Sequence, residues 1–74
     1  MIGVTRLTLD IEDNVVIVRR EHSTWSDRAA ILGRVVENGK ERLFLDRRIH
    51  HGDAVDSNNH WSISGAYTTV LTRL

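Results

Sequence analysis

The densest group of residues able to do chemistry is Asp46-Arg47-Arg48-Ile49-His50-His51-Gly52-Asp53. Three readings compete for it. In the plainest, a strand end runs into a solvated loop and Asp46 pairs with a neighbouring arginine. In the second, Arg42, Arg47, Arg48 and His50 hold an anion or phosphate through charge-assisted, bidentate hydrogen bonds. In the third, His50, His51, Asp53 and His60 ligate a metal ion, imidazole and carboxylate both being zinc ligands. Adjacent histidines on an extended chain point to opposite faces, which weakens the third reading. The expectation is therefore a candidate basic edge of Arg42, Arg47, Arg48, His50 and His51, with no metal and no cofactor.

Nothing in the sequence points to catalysis. There is no cysteine, no Gly-x-Ser-x-Gly elbow and no glycine-rich phosphate loop. Ser62, Ser64 and Thr68-Thr69 are ordinary strand residues. Asp10 and Glu12 fall two apart on one wet strand face. General acid–base chemistry needs groups held in a shielded pocket, and a chain of 74 residues has little volume for one. The chain is read as a non-enzyme.

Four large aromatics remain. Trp61 and Tyr67 are expected in the core. Trp25 lies in a polar connection and Phe44 on an outward position, so these two are candidate aromatic anchors for a partner. Aromatics interleaved with arginine can also stack single-stranded bases.

The elements that must position these residues are short. Leu7, Leu9 and Ile11 alternate with Arg6, Thr8, Asp10 and Glu12 in a run from Val4 to Ile11, the period of a half-buried strand. Glu12-Asp13-Asn14 reads as a tight turn. Val15 to Val18 is apolar on both faces and β-branched, a strand covered on both sides. The segment from Ala29 to Glu37 is ambiguous. As a helix it places Ile31, Leu32, Val35 and Val36 on one face, with Thr24 and Asp27 as a capping box and Gly39 as the stop. As a strand it turns at Asn38-Gly39 into Arg42-Leu43-Phe44-Leu45. The strand is preferred, because Gly33 would cost a helix about 1 kcal/mol and valines favour strands. A type I turn with a bulge at Gly39 would set Val35 near Glu41, Gly33 near Leu43 and Ile31 near Leu45, with Arg34 and Arg42 sharing the outer face. Residues 51–59 read as a loop. The stretch from His60 to Leu74 reads as one long strand bent at Gly65.

The fold expected is a single all-β domain over residues 1–74, a small five-stranded antiparallel barrel or strongly bent sheet. The alternative is α+β, ββαββ, with a helix at about 25–37. No apolar run is long enough to span a membrane, and the first residues lack the pattern of a secretory signal. A cysteine-free chain fits a reducing compartment, so the expected location is cytoplasmic.

Ten basic residues balance ten acidic ones, and Lys40 is the only lysine. Zero net charge counts against a dedicated nucleic-acid binder. The function expected is a small protein-binding or self-associating accessory module of the kind found in bacteria and phages. The alternative is a nucleic-acid-binding barrel using Arg34, Arg42 and Arg48, which loses its footing if Asp46, Glu41 and Glu37 neutralise those arginines. A small core without disulfides argues for a homo-oligomer, most simply a dimer. Tyr67, Val70, Leu71 and Leu74 are its candidate interface, with another protein as a possible further partner.

Overall fold

A computed structural model describes residues 5–63 and 65–74. The expected strand start at Val4 and the residue Ser64 lie outside that range. The described chain is all β, seven strands in the order β5-β1-β2-β3-β4-β7-β6. They are β1 Arg6–Glu12, β2 Val15–Arg20, β3 Ser26–Glu37, β4 Lys40–His50, β5 Val55–Asp56, β6 Trp61–Ser62 and β7 Tyr67–Arg73. The helical alternative for residues 25–37 is excluded, since all but the first of them form β3.

Each consecutive pair from β1 to β4 is antiparallel. Asp13 and Asn14 both take positive φ, as do Asn38 and Gly39, so both hairpins close with two-residue turns. Leu7, Leu9, Val16 and Val18 point inward and join Leu43, Leu45, Ile49, Trp61 and Leu71 in one core. Ile17, on the opposite face of β2, is buried as well.

The strand count differs from the expected five in two places. Val55–Asp56 pairs in parallel with Arg6–Leu7, inside what the sequence presents as a loop. The stretch from His60 to Leu74 is two strands rather than one bent one, because Gly65 (φ +71°) belongs to the connection that folds β6 back onto β7.

The sheet curls until β5 and β6 meet, which nearly closes a barrel. Asp56 clasps the seam: one carboxylate oxygen accepts from His60 N at 2.9 Å and Trp61 N at 3.1 Å, the other from Asn58 N at 3.1 Å. Ser57 N reaches Leu7 O and Leu74 N reaches His60 O, so both edges are tied to the loop between β5 and β6.

The register of β3 against β4 also departs from expectation. The turn is tighter by one residue, so Val36 faces Glu41, Val35 faces Arg42 and Gly33 faces Phe44; a bulge at Leu32 then restores Ile31 against Leu45. In consequence Arg34 lies on the face of Leu43, and Arg42 lies on the opposite face with Val35 and Phe44. They do not share a face.

Candidate binding surface

The residues of the expected basic edge are scattered by this geometry. Arg42 bonds Glu37 at 2.6 Å and lies over the Phe44 ring. Arg47 crosses back to β3, where it bonds Asp27 at 3.0 Å and the Arg28 carbonyl at 3.2 Å. Asp46 accepts from the Ala30 amide at 2.9 Å. No β3–β4 ladder pair lies beyond Ile31 and Leu45, so Asp46 and Arg47 stitch the two strands where the ladder ends. Their chemistry is spent on the fold.

Arg48 and His50 do come together, both against Tyr67. The guanidinium sits 5.4 Å from the ring centroid and the imidazole 4.8 Å, edge-on. His51 does not join them. Alternation past Ile49 turns it inward, and it is only 2% exposed. Its Nδ1 lies 3.1 Å from the Gly52 carbonyl, and its buried Nε2 has no partner among the described residues. The edge as expected therefore lacks His51 and is divided between separate faces. No group of three or more His, Cys, Asp or Glu side chains converges among the described residues.

The aromatics fall into a common pattern. Trp25, Phe44, Trp61 and Tyr67 each carry one arginine over the ring, Arg20, Arg42, Arg73 and Arg48 respectively, at 4.9–5.5 Å. Arginine stacks on rings in a way that lysine does not reproduce, which gives the arginine bias a structural role. Trp25 stays partly exposed just before β3, and Phe44 is half-buried. Trp61 is in the core as expected, whereas Tyr67 is 54% exposed. The β4–β7 register slips between Phe44/Val70 and Ile49/Thr68, and the slip sets Tyr67 opposite His50 on the outer surface.

The candidate interface residues on β7 are dispersed too. Leu71 is fully buried opposite Leu43, so it packs in the core and offers nothing to a partner. Val70 is half-buried opposite Phe44. Leu74 lines a seam groove of about 200 Å³ with Val55, Trp61 and Ile63. Strand β7 is flanked by β4 and, at Thr72 and Arg73 only, by β6; along the rest of its far side the Thr68 hydroxyl accepts from the Val70 amide and donates to the Val70 carbonyl.

A further uncovered edge lies on β3. Strand β3 has twelve residues and β2 six; β2 covers β3 only from Ser26 to Ala30. Beyond the Ile31 amide, which reaches the Asn14 carbonyl, β3 keeps β4 as its one neighbour in a projecting arm, with β7 paired behind β4 at Arg42–Phe44, so that only the tip from Val36 to Glu41 is two-stranded. Leu32 and Val36 are each 73% exposed there, and Val35 is exposed as well. On the β4 side of this arm Arg42 and Phe44 are expected site residues, whereas on the β3 side only Arg34 is named, in the nucleic-acid alternative. The signal in the sequence is one of length: the extended run from Ala29 to Glu37 outlasts Val15–Val18, which tells only once the two are known to pair.

All the arm's ionic groups but Lys40 at its tip have partners among the described residues. Arg34 reaches Asn14 Oδ1 at 3.2 Å and Glu41 at 3.9 Å, and Glu37 is held by Arg42. What the arm otherwise leaves unsatisfied is apolar side chain and main chain. Comparison with protein-family models, with curated proteins and with solved structures finds no match. No helix is long and apolar enough to cross a membrane among the described residues.

Proposed function

We propose that this chain is a non-enzymatic, protein-binding accessory module that docks through the projecting β3–β4 arm. The observation that carries this reading is the strand edge from Leu32 to Glu37, covered on one side only and exposing Leu32, Val35 and Val36. Free strand edges pair with other chains unless they are guarded by lysine, proline or a covering element. Strand addition to such an edge is a recurrent mode of peptide recognition. Between Leu32 and Glu37 there is no lysine and no proline, and the two charges there, Arg34 and Glu37, are engaged with Asn14, Glu41 and Arg42, which leaves the bulge at Leu32 as the one guard. The seam groove is smaller than the roughly 300–1,000 Å³ typical of small-molecule sites, which supports reading the chain as a binder of proteins. The lack of cysteine fits a cytoplasmic setting.

The nucleic-acid reading has less to stand on. Of its three arginines, Arg34 is near Glu41 and Arg42 is paired with Glu37. Only Arg48 has no acidic partner among the described residues.

A photo-crosslinking residue at position 36, introduced in the source cell, tests the proposal. The expected product is a covalent adduct with polypeptide that disappears when the crosslinker sits at exposed Arg19 instead. Adducts with nucleic acid, or equal yields at both positions, would overturn it.

A further inference from the structure

Resting on that reading, we infer that the arm's partner is a second copy of this chain, joined β3 to β3 across a two-fold axis that passes beside Val35. The main-chain pattern selects the register. In a hairpin closed by a two-residue turn, the residues flanking the turn form a hydrogen-bonded pair, and such pairs recur at every second position. Glu37 and Val35 therefore spend their amide and carbonyl groups on Lys40 and Arg42 of β4. Arg34 and Val36 turn theirs outward to the uncovered edge.

Two residues spaced by two on one edge are self-complementary. Antiparallel pairing of Arg34 with Val36 of the other copy, and of Val36 with its Arg34, satisfies all four residues' outward groups through four hydrogen bonds. Val35 then faces its own symmetry mate between them. On that face Glu37 falls opposite Gly33 of the other copy, where a Cβ would meet nothing within 4 Å, so there is room for it. The charges agree with this pairing. Arg34 and Glu37 sum to zero, and each is already engaged within its own arm. A strongly acidic or strongly basic partner would gain little here, whereas a neutral, apolar, β-branched edge matches, and the chain carries that edge itself. The isologous two-fold pair is also the commonest symmetry of homo-oligomers. The result is a continuous sheet β4-β3-β3-β4 through the dimer. A seam this narrow is small beside the roughly 1,200–2,000 Å² of stable interfaces, so the dimer dissociates on dilution.

The absence of cysteine makes a direct test available. Non-hydrogen-bonded cross-strand pairs hold their Cα atoms about 4.5 Å apart, inside the range of about 4.4–6.8 Å that disulfides accept. Val35→Cys is expected to oxidise to a covalent dimer at least about tenfold faster than Val70→Cys, whose position on β7 lies outside the pairing. Sedimentation of the wild-type chain is expected to show a concentration-dependent dimer. Val36→Lys is expected to be a folded monomer with an unchanged circular dichroism spectrum. Equal oxidation of the two cysteine variants, or a wild-type monomer at every concentration, would overturn the inference. If position 36 still crosslinks to a different polypeptide in that case, the protein-binding reading stands and only the identity of the partner fails.

Discussion

Leu71→Ala is expected to cost about 2–5 kcal/mol of folding stability, the range for truncating a buried leucine. Leu71 is fully buried, packs in the same core as Leu43, Leu45 and Trp61, and faces Leu43 across β4 and β7. A domain this small has about 5 kcal/mol or little more to lose, so the variant lies close to unfolding at 37 °C. At about 4–8 °C for each kcal/mol, the melting temperature falls by at least about 8 °C. Val70→Ala, one residue away and only half-buried, is expected to cost about 1 kcal/mol. Urea titration of both variants at one low protein concentration reads the difference. Equal losses would mean that β7 does not present Leu71 inward. A Leu71 variant that keeps its stability but changes its mass would return that residue to a subunit interface.

Asp56→Ala is expected to cost about 2–4 kcal/mol, because each buried donor left without an acceptor costs about 1–3 kcal/mol. The carboxylate is 6% exposed and serves three amides at once, those of Asn58, His60 and Trp61. The damage is local before it is global. Losing the clasp frees β6 from β5 while the hairpins from β1 to β4 keep their ladders. Amide exchange at His60 and Trp61 is therefore expected to accelerate more than exchange in β2. Asp56→Asn keeps one accepting oxygen and should fall between wild type and alanine. Unchanged exchange at Trp61 in the alanine variant would show that the seam is held by something other than this carboxylate.

What could be read from the sequence was local. Alternation in Leu7-Leu9-Ile11 and the Asp13-Asn14 and Asn38-Gly39 turns marks both hairpins, because each signal sits within a few residues of the structure it forms. The register at Asn38-Gly39 could not be read, since that dipeptide serves a two-residue turn and a bulged one alike. The choice moved Arg34 and Arg42 to opposite faces. Strand β5 has two residues and no pattern of its own; it exists because Asp56 is bonded to a loop that follows it. The slip that exposes Tyr67 lies between β4 and β7, far apart in the chain. The basic cluster failed as an edge for the same reason. Nothing near Asp46-Arg47 in sequence reveals that β3 lies within reach and lacks ladder bonds there. The projecting arm was not legible either, because recognising that the run from Ala29 to Glu37 outlasts Val15–Val18 requires knowing that the two pair.

Whether the distal half of β3 is an uncovered strand edge used for pairing is tested most directly by amide hydrogen exchange at four consecutive residues. In dilute protein, the amides of Arg34 and Val36 are expected to exchange fast, while those of Val35 and Glu37, bonded to β4, stay protected. As concentration rises, protection is expected to grow at Arg34 and Val36 alone. Strong protection of Arg34 and Val36 at every dilution would mean that the chain covers this edge itself, and the account would be wrong.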